Sequence, residues 1–354
     1  MKEGSQQRHL ARALGLARAG QVLQRRRDLN GALEQYRAAA ALLEEEEPTP
    51  LLANVLRWEG TCLRDKGDNE AADARYAESF DVARQSGSLE GQAAAINCRA
   101  VIAQRRGDLE NALRLYTSAV QHAAAAGDLR LSAMIQMNLG VLNNIKGDLN
   151  AARYHYQQAL RAFEELGADE SACWTLNNLG MLFNDLGLPS AAEKRLNRGL
   201  TIARMRGDRH AEGILLTNLS EGLIAMNRWE EARATLDEAF DITFENGEPE
   251  RIAEVLKFYG VLQRDSGHPE KAHERLREAL NVAARVGNRL LVAEVLRERG
   301  ELHRREGALD AARRDWNDAL GGFRAAGADR DVAELQTRID DLDSTGEHAE
   351  SENG

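Results

Sequence analysis

The chain of 354 residues is poor in proline, with five, and in aromatic residues, at 5%. Both shortages count against a sheet protein, whose strands draw on aromatic side chains, and leave long helices uninterrupted. Cysteine is scarce too. Cys62, Cys98 and Cys173 are odd in number and far apart, without CxxC or Cys/His spacing, which counts against a disulfide framework or a zinc site. No apolar run approaches the ~18 residues that a membrane span needs, so no membrane insertion is expected. The opening stretch MKEGSQQRHLARALGLARAG has no long apolar core, which predicts neither a secretory leader nor an anchor and a cytoplasmic chain. A basic excess is also missing. The net charge of −11 has the wrong sign for a nucleic-acid surface, although part of it is local, since the last seventeen residues hold six acids and one arginine.

Alanine, leucine, arginine and glutamate dominate instead, a composition that suits helices and a GC-rich bacterial genome. They also repeat. Gly67, Gly107, Gly147, Gly187, Gly267 and Gly307 stand in steps of 40, with Arg27 and Asn227 in the two remaining places. A second column is unbroken from Gly87 to Gly327 in steps of 40. A third is small: Gly20, Gly60, Ala100, Gly140, Gly180, Ser220, Gly260 and Gly300. Twelve residues after each comes an alanine, from Ala32 to Ala312, and four further on a ring or leucine: Tyr36, Tyr76, Tyr116, Tyr156, Leu196, Leu236, Leu276 and Trp316.

Each period divides into two helices. Glycine in the first two columns ends a helix in the left-handed conformation, and Asp68, Asp108 and Asp148 cap the helix that follows. Pro50, Pro189, Pro249 and Pro269 fall at predicted first helical positions, where a missing N–H does no harm. Gly180 lies in mid-helix, at a cost of about 1 kcal/mol relative to alanine. Close approach of the two helices where Gly180 meets the Ala192 column, with the neighbouring Leu or Tyr filling the space beside the crossing, is the packing reason expected for it.

Small column, alanine column, ring and further small column on paired helices resemble the tetratricopeptide repeat family, most closely in MNLGVLNNIKGDLNAARYHYQQAL. The usual unit has 34 residues and this one 40, a long form similar to the repeats of kinesin light chains, spindle-orientation adaptors and bacterial peptide-responsive regulators. Leu196, Leu236 and Leu276 in place of the ring, and Asn227 with Trp229 in place of the Gly-Asp turn, depart from the pattern. The resemblance implies an all-α, right-handed superhelix. The chain then divides into a flexible N-terminus (1–8), eight repeats (9–327), a capping helix (328–342) and a disordered acidic tail (343–354).

No constellation for catalysis is seen, and no cofactor or metal is expected. The eight histidines are scattered; His268 and His273, five apart at a predicted helix start, read as solvated surface. Carboxylates lie among arginines and lysines, as in EKAHERLREAL.

Binding has more support. The resemblance implies that first helices line a concave face which holds peptides or helices of partner proteins. One stripe of that face reads Arg18, Trp58, Cys98, Asn138, Asn178, Asn218, Phe258 and Glu298. A carboxamide both donates and accepts, so Asn138, Asn178 and Asn218 could pair with peptide main chain of any sequence, or with one another inside the array. The preceding position carries Arg57, Asn97, Met137, Asn177, Thr217, Lys257 and Arg297. Further along lie Val141, Met181 and Val261, then Arg64, Asn144, Asn184, Arg264 and Arg304. The expected groove is asparagine-rich in the middle, with Met134, Met137 and Met181 for apolar side chains, Trp58 and Trp174 as candidate anchors, and basic ends suited to acidic partners. These features point to a non-enzymatic adaptor, or alternatively to a ligand-responsive regulator whose superhelix tightens around a bound peptide; the partner and the oligomeric state stay open.

Overall fold

In the computed structural model the backbone is described for residues 2–45 and 47–351, and side chains for residues 8–45 and 47–342. The described residues form seventeen α-helices and no strand. In chain order these are α1 (Lys2–Arg25), α2 (Leu29–Glu44), α3 (Pro50–Asp65), α4 (Asn69–Gln85), α5 (Leu89–Arg105), α6 (Leu109–Ala125), α7 (Leu129–Ile145), α8 (Leu149–Glu165) and α9 (Asp169–Asp185). There follow α10 (Pro189–Arg206), α11 (Arg209–Ala225), α12 (Trp229–Glu245), α13 (Pro249–Asp265), α14 (Pro269–Val286), α15 (Arg289–Arg305), α16 (Leu309–Ala326) and α17 (Asp329–Ser351). Seventeen helices in this order fit an expected eight repeats and a last single helix.

Turn chemistry fixes the boundaries. Asp68 and Asp108 accept hydrogen bonds from the backbone N–H of Ala71 and Asn111, and Asp148 does the same for Ala151. All four prolines expected at helix starts begin α3, α10, α13 and α14. The turn geometry is so constrained that residues other than glycine also adopt it: Arg27 has φ 65° and Asn227 φ 58°, at the two places in the column that lack glycine.

The chain forms two compact units, residues 1–142 with 157–166, and residues 143–156 with 167–354. Within the first, α1 packs on α2, α3 on α4 and α5 on α6, while α1 meets α3 and α3 meets α5. Within the second, the hairpins are α9–α10, α11–α12, α13–α14 and α15–α16, and odd helices again meet odd helices from α9 to α15. Each unit therefore presents a face built of first helices.

Every alanine of the Ala32-to-Ala312 column is fully buried, and every member of the ring-or-leucine column is at most 3% exposed. The mid-helix glycine does make room where the helices cross, and the nearest atoms are those of the large side chain rather than of the alanine. A Cβ on Gly180 would lie 2.4 Å from Leu196 Cδ2, and one on Gly60 would lie 2.7 Å from Tyr76 Cε1. The large side chain sits directly over the glycine, because it projects back along its helix toward the crossing while the alanine only lets the backbones close.

Helical backbone runs further at both ends than the boundaries at 8 and 343 allowed: α1 begins at Lys2 and α17 continues to Ser351. Neither end contains proline, and a lone glycine such as Gly4 or Gly346 costs a helix only about 1 kcal/mol. Met1 and residues 352–354 lie outside the described residues.

Candidate functional site

In the first unit, Asn138 of α7 donates from Nδ2 to Asn97 Oδ1 of α5 at 3.0 Å. Asn97 is buried and Asn138 half-buried, so this carboxamide pair stitches neighbouring first helices together. Arg57 is half-buried, donates to Asn54 Oδ1 at 3.1 Å and lies over the Trp58 ring, while its Nε has no hydrogen-bond partner. Trp58 itself packs against the core beside Tyr36, with ring centroids 6.0 Å apart. Arg64 forms an ion pair with Asp65 at 2.8 Å. Met137 is half-buried, and Met134 is exposed on the same helix.

The second unit repeats the carboxamide pair. Asn218 of α11 donates from Nδ2 to Asn177 Oδ1 of α9 at 2.8 Å, and buried Asn177 points its own Nδ2 at the Met181 sulfur, 3.6 Å away. Asn184 donates to the backbone carbonyl of Asn218 and to Glu221 Oε2, each at 3.1 Å. Asn97, Asn138, Asn177 and Asn218 thus bond within the array, the internal role that the sequence left open.

Asn178 differs. It is half-buried and makes no side-chain hydrogen bond among the described residues, with Met181 exposed one turn on. In the two bonded pairs the acceptor stands forty-one residues earlier in the sequence; forty-one residues before Asn178 the sequence has Met137, not asparagine. On the same face, Asn144 Oδ1 and Asn184 Oδ1 are buried acceptors without a hydrogen-bond partner. Leaving such atoms unsatisfied costs about 1–3 kcal/mol each, a cost removed by any donor that reaches them.

The basic end expected in the second unit is neutralised internally. Lys257 pairs with Glu294 at 2.5 Å, Arg264 with Glu298 at 2.8 Å and Asp265 at 2.8 Å, and Arg304 with Glu301 at 2.7 Å. Arg297 bridges Glu298 and Asp331. Burial alone would raise Glu298, but the Arg297 and Arg264 guanidinium groups hold it down at about 2. Glu221 goes the other way: burial pushes it above the ordinary range against the pull of Lys257 and the Asn184 hydrogen bond. Asp185, raised by burial, forms an ion pair at 3.3 Å with Arg330 at the start of α17, 145 residues away. The apolar members of the Met181 column give no sign of these carboxylates, but the same column contains Glu221 and Glu301.

Cys62, Cys98 and Cys173 are free and buried, and burial pushes the Cys62 and Cys173 thiols up to about 11, which keeps them protonated. No helix among the described residues is long and apolar enough to cross a membrane.

A family model for the tetratricopeptide repeat matches residues 91–165, 131–205 and 211–285, and the chain belongs to that family. Solved structures share the fold. The apo form of the quorum sensor NprR from B. thuringiensis is similar at a TM-score of 0.67 and 14% identity, over 88% of this chain and 87% of that one. The Rap conjugation gene regulator of plasmid pLS20, in complex with the Phr* peptide, gives 0.61 and 13% identity over 89% and 96%. BtubC (BKLC) from P. vanneervenii gives 0.55 and 20% identity over 62% and 90%. No curated protein sequence matches the chain.

Proposed function

We propose that this repeat protein is a cytoplasmic, non-enzymatic adaptor whose first-helix face in the second unit holds a segment of a partner protein through its main chain. One observation carries the reading: on that face Asn144 Oδ1 and Asn184 Oδ1 have no partner and Asn178 makes no side-chain hydrogen bond among the described residues, while Asn97, Asn138, Asn177 and Asn218 bond one another. A carboxamide with its donors and acceptor free matches a peptide N–H and C=O whatever the side chains, and exposed Met181 beside it can adapt to an apolar residue. Asn138, Asn218, Asn97 and Asn177 then hold the helices in place, and Arg57 and Met137 extend the face in the first unit.

A second reading, a ligand-responsive regulator, is supported by fold likeness to a regulator solved with a peptide and to a quorum sensor. One experiment addresses both. Purified protein is screened against an array of random peptides, and a captured peptide is titrated by calorimetry and small-angle scattering. Loss of binding in Asn178→Ala with unchanged helicity supports the site, and unchanged binding in that variant overturns it. A constant radius of gyration on saturation favours the adaptor, and a marked contraction favours the regulator.

A further inference from the structure

One cluster outside this face has a different chemistry. His273 on α14, His303 on α15 and Glu306 just past the end of α15 bring one ligand atom each within 4.8 Å of one another. His273 Nε2 lies 2.8 Å from Glu306 Oε2, and His303 Nδ1 lies 3.8 Å from the same oxygen. The two imidazole centroids are 5.0 Å apart. The fold makes this meeting: α14 starts where α15 ends, so residues thirty apart in sequence, in adjacent repeats, face each other.

We propose that His273, His303 and Glu306 form a binding site for a borderline transition-metal dication, Zn²⁺ in the first instance, that bridges the seventh and eighth repeats. Two imidazole nitrogens and one carboxylate oxygen are a donor set that Zn²⁺ accepts with water in the fourth place, and that hard ions such as Mg²⁺ do not prefer. Ligands held at about 2.0–2.2 Å from a tetrahedral ion lie roughly 3.3–3.5 Å apart. The cluster therefore closes on the ion by side-chain rotations of about an ångström. All three groups are between 23% and 33% exposed, partly shielded yet open to an entering ion.

A further carboxylate strengthens the assignment. With His303 Nδ1 turned to the ion, its Nε2 faces Asp315 Oδ2 on α16 at 3.7 Å. Asp315 is 9% exposed and is fixed by two Arg299 hydrogen bonds of 2.7 and 2.6 Å. A buried carboxylate behind the remote nitrogen of a ligating imidazole sets its orientation and raises its basicity. Asp315 is thus a positioning residue.

The test uses the untagged full-length chain freed of metal by a chelator. Calorimetry with Zn²⁺ should show one ion bound per chain, and Co²⁺ should give the visible absorption of a tetrahedral nitrogen–oxygen site. Either His273→Ala or His303→Ala should weaken Zn²⁺ binding on the order of tenfold or more, and Glu306→Gln, which keeps size and hydrogen bonding, should do so without disturbing the helices. His268→Ala, in the same segment but outside the cluster, should bind as the parent does. A folded parent chain that takes up no Zn²⁺, or a double His273→Ala/His303→Ala variant that takes up as much as the parent, overturns the assignment.

Discussion

Asn218 donates its Nδ2 hydrogen to Asn177 Oδ1 across 2.8 Å, and this bond recurs two repeats earlier between Asn138 and Asn97. Such a half-buried carboxamide pair is structural. Asn177→Ala should therefore destabilise the chain by about 1–3 kcal/mol, since Asn218 loses its acceptor in a half-buried setting. Asn178→Ala should change stability by less than about 0.5 kcal/mol, because it breaks no bond. Urea unfolding followed by circular dichroism measures both. Equal losses would show that Asn178 is as structural as its neighbour.

Glycine positions should divide by sign. Gly180→Ala places a Cβ 2.4 Å from Leu196 Cδ2 and should destabilise by about 1–3 kcal/mol. Gly321→Ala, within α16, meets nothing within 4 Å and should stabilise by up to about 1 kcal/mol through helix propensity and chain entropy. Thermal melts of the two variants compare them directly.

Arg27→Gly should also stabilise, by roughly 1 kcal/mol, since the parent holds a residue with a Cβ at φ 65°. Asn227→Gly at φ 58° should gain less, because asparagine tolerates the left-handed region better than arginine does. An equal gain at both sites would argue against backbone strain as the cause.

The repeats were legible because the array uses one register: a glycine every 40 residues, capped by aspartate, admits little besides stacked hairpins. That a leucine or tyrosine lies beside the crossing was legible too; its seat directly over Gly180 was not, since that depends on rotamer and crossing angle. Nor was the division of labour among the asparagines. A carboxamide column looks uniform in sequence, and which members find an acceptor is decided only in the fold. The meeting of His273 with His303 was hidden for a related reason: His303 comes from the next repeat in antiparallel contact, so spacing within one helix carried no sign of it.

Acid should act on the second unit through Glu298. Its folded value of about 2 lies below the ordinary 4.5, so the unfolded chain takes up the proton first as pH falls. The stability it contributes is complete above about 4.5 and is lost as pH falls toward about 2. Glu298→Gln should flatten that part of the stability–pH curve, measured by urea midpoints across the range. A curve identical to the parent's would mean that the Arg264 and Arg297 pairs contribute no linkage.

Glu221 carries the opposite sign. Its folded value is raised, so its contribution is greatest at acid pH and falls as pH rises through that value. Glu221→Gln keeps an acceptor for Asn184 and removes the buried charge, and should raise stability at pH 7 while leaving acid stability little changed. A drop at neutral pH would assign the carboxylate a stabilising partnership with Lys257 instead.

The clasp between Asp185 and Arg330 ties the far end of the chain to α9, the helix that carries Asn178 and Asn184. A fusion, a nick or a docking protein that draws α17 aside strips Asp185 of its counter-charge, and burial then drives that carboxyl further toward its neutral form. What is attached behind the last helix is thereby felt one residue from Asn184.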